Sequence, residues 1–191
     1  KLYLGVFEEN KAGEKKGIKC YSINDGKLLW ENNEVYLLER VKEGLFCSLN
    51  DEERYFLVDY DSGNIRKEAA ETDEFDIVTR PEVKVPFQYN ESSVHFDTIK
   101  TFLKELEQMN VVQVIDYLED QGFIFISCYI YKDTFLSNWL FVYDEEGNKW
   151  HQDCLLEKTK GIGLDPFFVY EDRLVYTKDK SLITVFKIDK G

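Results

Sequence analysis

Apolar residues along this chain come in short runs broken by polar turns, and the runs repeat. One unit, an apolar strand, a polar turn, a second apolar strand and an Asp-containing turn with Gly, occurs four times. The four are LYLGVFEENKAGEKKGIKCYSINDG, GLFCSLNDEERYFLVDYDSG, FIFISCYIYKDTFLSNWLFVYDEEG and RLVYTKDKSLITVFKIDKG, ending at Gly26, Gly63, Gly147 and Gly191. The middle interval is close to twice the outer two, which gives a period of about forty residues. Gly tolerates positive φ, and Asp or Asn bonds its own backbone two residues on, so N-D-G, D-S-G and D-E-E-G predict hairpins around Asp25, Asp61 and Asp144, with Asp189 in the last unit. An earlier apolar run precedes three units (EVYLLER at 34–40, VVQVIDYLE at 111–119, LDPFFVYED at 164–172), and a later one follows three (KLLWE, NIRKE, NKWHQ). Together they predict an all-β chain, a β-propeller-like array of four-stranded antiparallel blades with strands A to D from the centre outward. Residues 1–191 are read as a single domain. The first unit lacks strand A and the last stops without strand D, leaving unpaired backbone groups; this predicts a longer parent chain, incomplete here at the N-terminus.

One segment departs from the repeat. Residues 69–110 occupy the space of a whole unit, yet SVHFDTIKTFLKELEQM (93–109) carries Phe96, Ile99, Phe102, Leu103, Leu106 and Met109 at three- and four-residue spacing, the pattern of a helix. Ser93 is its expected N-cap, and Asp97 lies in the first turn, where the helix dipole favours an acid. The stretch before it, VKVPFQY, reads as an extended lead-in. The helix is expected to pack on a blade face or sheet edge. As a D-to-A connection the insertion belongs with loops 9–17, 50–54, 132–138 and 152–163, which together form the expected binding face.

Composition fits a globular chain: 43% of the residues are hydrophobic and 15% aromatic, too many for a disordered state. The formal net charge of −13 opposes a phosphate backbone, and the one short basic cluster, KAGEKKGIK, reads as a solvated loop, so no nucleic-acid partner is expected. The longest apolar run, GFIFISCYIY, is too short for a membrane-spanning helix. Cys20, Cys47, Cys128 and Cys154 are widely spaced, with no C-x-x-C pair and only two His, so no metal site or redox motif is predicted. Read as reduced structural thiols, they lean towards a cytoplasmic setting.

INDGKLLW resembles the D-x-x-T-G-K-x-x-W signature of quinoprotein-type propeller repeats, with Trp30 four residues after Gly26. The resemblance implies that Trp30 packs between neighbouring blades. In the second unit Lys67 stands at the matching place, and in the third Trp150 follows Gly147 by three. The sialidase-type Asp-box fits Ser22, Asp25, Gly26 and Trp30 less well in spacing, and no strand ends in the Trp-Asp of WD-type repeats. Over most of its length the chain also looks like an uncharacterised bacterial family, domain of unknown function 4905. The residues that carry this likeness are VPFQYNESSVHFDTIKTFL, SNWLFVYDEEG, DPFFVYEDRLVY and GIKCYSINDGKLLW. The family implies a further N-terminal stretch and brings no assigned activity.

Candidate chemistry is sparse. His95 and His151 are the only imidazoles, and each is weighed as an acid, base or ligand against an ordinary structural role. Phe135 and Trp139 flank the 132–138 loop, where they could stack on a sugar or anchor a protein, or else fill the space between sheets. No G-x-S-x-G motif is present, and KGIGLD at 160–165 has neither the third Gly nor the following helix of a phosphate site. The leading expectation is a noncatalytic domain, needing no cofactor, that binds a protein or small ligand through the insertion-bearing face. The alternative is an enzyme of glycan-acting or quinone-dependent type with a carboxylate cluster in a central channel. A third reading is a purely structural module.

Overall fold

A computed structural model describes residues 1–7, 15–49, 54–70, 75–79 and 82–188. The chain divides into two compact units, Lys1–Pro81 and Glu82–Gly191.

In the first unit β1 (Leu2–Phe7), β2 (Lys15–Tyr21) and β3 (Leu28–Asn32) form an antiparallel sheet in that order. A second antiparallel sheet follows, made of β4 (Val35–Val41), β5 (Gly44–Leu49), β6 (Tyr55–Val58) and β7 (Ile65–Ala69). Period-2 alternation gives each sheet one apolar face. Ile18, Cys20 and Trp30 from the first sheet close on Val35, Leu45, Cys47, Phe56 and Val58 from the second.

Trp30 makes the most specific contact. Its Nε1 donates to the Tyr60 carbonyl at 3.2 Å, and its ring lies on Gly63 so closely that a Cβ there would overlap the indole. Gly63 also has φ +70°, so two constraints require glycine. The Asn32 amide donates to the Gly63 carbonyl at 2.9 Å and completes the clasp.

The turns form as the D-x-G pattern predicts, although the residue that closes the second one is different. Asp59, rather than Asp61, accepts from the Asp61 and Ser62 amides at 2.8 and 2.7 Å, while Asp61 pairs with Lys1. Ser22 holds the equivalent place four residues before Gly26, and the Gly26 amide donates to the Ser22 carbonyl at 2.9 Å. Asp189 lies outside the described residues.

The second unit has three layers. Its centre is a five-stranded antiparallel sheet built from β8 (Phe87–Asn90), β9 (Val111–Asp120), β10 (Phe123–Lys132), β11 (Phe135–Asp144) and β12 (Lys149–Thr159), ordered β12-β11-β10-β9-β8. Between β8 and β9 runs α1 (Val94–Glu107), capped by Ser93, whose side chain accepts from the His95 amide. On one face of the sheet Phe96, Ile99 and Leu103 of α1 meet Val111, Ile115, Ile126, Cys128, Phe141 and Tyr143. Leu106, expected in the apolar stripe, is 47% exposed. The other face packs on a three-stranded sheet, β13 (Phe167–Tyr170), β14 (Arg173–Lys178) and β15 (Leu182–Lys187). There Phe125, Leu140, Val142 and Leu155 touch Phe167, Val169, Leu174 and Tyr176. Burial on both faces explains why FIFISCYIY shows no alternation.

The all-β expectation holds in its coarse form: the described residues make four antiparallel sheets and one helix, and among them no sheet closes into a barrel or propeller. Two features of the second unit differ from a regular blade. The inner edge of β9, which a propeller would turn to its channel, is hydrogen-bonded to β8, a strand read from the sequence only as an extended lead-in. The face that a neighbouring blade would cover is taken by α1. Just before β8, Lys84 exchanges both backbone hydrogen bonds with Val169 at 2.9 and 2.8 Å, so one extended segment staples β13 to β9.

Candidate functional site

The sheet face that carries Phe125 and Leu118 becomes polar towards one end. Asp116 on β9, at 1% exposure, stands opposite Gln88 of β8 and Ser127 of β10. Gln88 Nε2 donates to Asp116 Oδ1 at 2.9 Å, and Ser127 Oγ lies 3.2 Å from Asp116 Oδ2 and 3.0 Å from Asn138 Oδ1. Tyr129, the cross-strand partner of Asn138, is also buried.

The 160–166 loop covers this end. The Gly163 amide donates to the Tyr129 hydroxyl at 2.8 Å, and the Gly163 carbonyl accepts from Gln88 Nε2 at 3.3 Å. Burial raises the Asp116 pKa to about 6, opposed by hydrogen bonds from Gln88 and Ser127 and reinforced by the charge of Asp165 on the loop. Burial likewise pushes the Tyr129 hydroxyl up.

The 160–166 loop and the 83–87 segment each leave large apolar side chains in solvent. Val83, Val85 and Phe87 alternate along the extended segment, with Phe87 at 71% exposure. Ile162 and Leu164 project from the loop, with Leu164 at 80%. The Gln88 to Gly163 hydrogen bond ties the two stretches together.

The four residues singled out in sequence are scattered. His95 is exposed on the first turn of α1, its ring 5.0 Å from Tyr89. Phe135 is partly exposed at the start of β11, with the Lys158 ammonium 5.7 Å from its ring. Trp139 is not at a loop margin: it lies within β11 and packs on the helix side, stacked with Phe141 at 6.4 Å. The reason is that the expected 132–138 loop is only a two-residue turn at Asp133 and Thr134, and Ser137 and Asn138 are buried strand residues. His151 is half-buried on β12, stacked with Phe186 at 4.4 Å and bonded through Nε2 to the Tyr176 hydroxyl at 3.0 Å. Tyr176 donates on to Asp153 at 2.9 Å, and Lys178 donates to the other Asp153 oxygen at 2.6 Å. Burial lowers the His151 pKa and the nearby Asp153 charge opposes that shift. Among the described residues no two of these four share a hydrogen bond or ring contact.

Other chemistry is limited. No group of three or more His, Cys, Asp or Glu among the described residues could hold a metal ion. A shallow depression of about 350 Å³ lies along the 119–124 hairpin and Glu145, and it is acid-lined. Two of its three acids are engaged: Asp120 pairs with Lys84, and Glu119 accepts from Tyr117.

The Asp116 group was missed in sequence because Asp116 and Ser127 sit inside runs that read as apolar strands, Gln88 lies in the extended lead-in and Asn138 in the expected 132–138 loop. One signal was there: alternation places Asp116 on the same face as Val114 and Leu118, where an acid needs a partner. No family model matches the chain, and no curated protein or solved structure does. No helix among the described residues is long and apolar enough to cross a membrane.

Proposed function

We propose that the chain is a noncatalytic binding module that takes a protein or small ligand on the unit Glu82–Gly191, at the 83–87 segment and the 160–166 loop. One observation carries the reading: five large apolar side chains, Val83, Val85, Phe87, Ile162 and Leu164, stand in solvent on two stretches tied by a hydrogen bond. Single exposed apolar residues are normal on a surface; we read the two sets, three along the 83–87 segment and two on the loop, as an interaction site.

An enzyme of glycan-acting or quinone-dependent type would need several acids of raised pKa converging in one pocket. Among the described carboxylates Asp116 alone is held up, while hydrogen bonds hold Asp25, Asp59 and Asp144 down. For the finer fold, we read the sheets as blade-like repeats of an array related to the quinoprotein-type propeller. Trp30 supports this by docking on Gly63, the counterpart of its own Gly26 in the next unit. The likeness to domain of unknown function 4905 stands as a proposal beside it and adds no activity.

The test compares the wild-type chain with Phe87→Ser/Leu164→Ser, two exposed changes expected to leave the fold intact by circular dichroism. A partner recovered by the wild type, then purified, should bind it saturably and bind the double variant at least about tenfold more weakly, the loss of a single hot-spot contact. Equal binding by both, or no saturable partner at all, overturns the proposal.

A further inference from the structure

The loop stretch KGIGLD, residues 160–165, is complementary to itself when its direction is reversed. Set antiparallel to a second copy about a two-fold axis, Lys160 meets the partner's Asp165, Gly161 meets the partner's Leu164, and Ile162 meets the partner's Gly163. Each of these contacts occurs twice. A cation then faces an anion, and each aliphatic side chain faces a residue that has none. A two-fold contact demands such a pattern, because one patch must supply both surfaces.

The fold presents the stretch in a form that suits it. All six residues are exposed, Ile162 and Leu164 among them. A Cβ on Gly161 would meet nothing within 4 Å, so the space beside it is open to a neighbour's side chain. Among the described residues neither Lys160 nor Asp165 takes part in an ion pair. The backbone between them is tied down: Thr159 Oγ1 donates to the Gly161 carbonyl at 2.8 Å and accepts from its amide at 3.2 Å, and Gly163 is bonded through its amide to Tyr129 and through its carbonyl to Gln88. A loop ordered in advance loses less entropy when it associates.

We propose that the chain self-associates through this loop as a two-fold dimer, with a Lys160–Asp165 ion pair at each end and Leu164 seated over the partner's Gly161. The inference rests on the binding reading above and names the partner as a second copy of this chain.

Charge and size set the strength. The contact is neutral, one lysine and one aspartate from each copy, although each whole chain carries −13. At about 0.15 M salt that wider repulsion is screened beyond roughly 8 Å. Six residues a side fall well short of the roughly 20–30 of a standard interface, so the dimer is weak and reversible, with a Kd of about 0.1 mM.

Sedimentation equilibrium of the whole chain at about 0.15 M salt, from roughly 10 μM to 1 mM, should span the change from monomer to dimer. Lys160→Glu and Asp165→Lys each set like charges against one another at both ends, and each should weaken association at least about tenfold. An equal mixture of these two variants should associate like the wild type, since one end then keeps the native pair and the other holds it reversed. Gly161→Leu, which fills the open space, should also weaken the dimer about tenfold or more, whereas Phe87→Ser, outside the contact, should leave it unchanged. A wild type that stays monomeric overturns the proposal whether or not the variants fold, and so does a dimer that survives both charge variants or is not restored in their mixture. A monomeric wild type that still binds another partner, and loses it in Phe87→Ser/Leu164→Ser, overturns the dimer and leaves the binding reading in place.

Discussion

The two tryptophans that follow the glycine turns, Trp30 and Trp150, begin from similar sequence and end in different surroundings. In Lys1–Pro81 a sheet is covered by another sheet, and Trp30 is drawn between them onto the Asp59–Gly63 turn. In Glu82–Gly191 Trp150 turns back to its own hairpin, donates to Asp144 at 3.2 Å, meets the edge of Phe123 and stays 42% exposed. A strand-end tryptophan acts as a lock only where the next turn brings a bare glycine to its ring. Trp30→Ala should therefore cost about 3–5 kcal/mol, as large aromatic truncations in a core do. Trp150→Ala should cost about 1 kcal/mol, chiefly its hydrogen bond. Urea unfolding followed by hydrogen exchange keeps the two units apart, which a single transition would not. Equal losses at the two positions would break the comparison.

The same contrast shows what could be read from the chain. Strands whose neighbours are near in sequence were legible, because alternation and a Gly turn act locally: the second sheet falls on EVYLLER, GLFCSLN, RYFLV and NIRKE much as the pattern predicts. The helix was legible from its spacing and its Ser93 cap, within two residues at its C-terminal end. β8 was not, since four residues after Pro86 carry little local signal and owe their pairing to β9, more than twenty residues on. Ser137 and Asn138 misled for the opposite reason. Polar residues near a turn read as loop, whereas here Ser137 donates to the Glu157 carbonyl at 2.7 Å within the sheet and Asn138 joins the Asp116 group. A sheet buried on both faces admits polar residues only as a bonded network, and that network cannot be seen one strand at a time.

Asp116 and Asp59 extend the comparison from aromatic to acid. Asp116 is raised by burial, so the folded state holds its proton more tightly than the unfolded chain does. Its contribution to stability is complete below 3.8 and is lost as pH rises through about 6. At neutral pH the ionised acid therefore weakens the fold. Asp116→Asn should stabilise the second unit by about 2–3 kcal/mol near pH 7 and by close to nothing near pH 4, at 1.36 kcal/mol per pKa unit. Urea midpoints at the two pH values would show it. A gain independent of pH would mean that the substitution acts through packing rather than charge.

Asp59 has the opposite sign and the smallest effect. The Ser62 amide and hydroxyl, the Asp61 amide and the paired Arg66 all favour its charged form, bringing its pKa to about 2. Its contribution is present above 3.8 and is lost as pH falls through about 2. Asp59→Ala should lower the midpoint of the first unit at neutral pH by less than Trp30→Ala, and should flatten the acid limb of its stability curve between those two values. Asp59→Asn, which keeps an acceptor for the turn amides but loses the charge, should fall between wild type and Ala. If Asn and Ala behave alike, the charge holds the turn; if Asn matches the wild type, the hydrogen bonds suffice. Either result separates the acid that shapes a turn from the buried one that opposes its own ionisation.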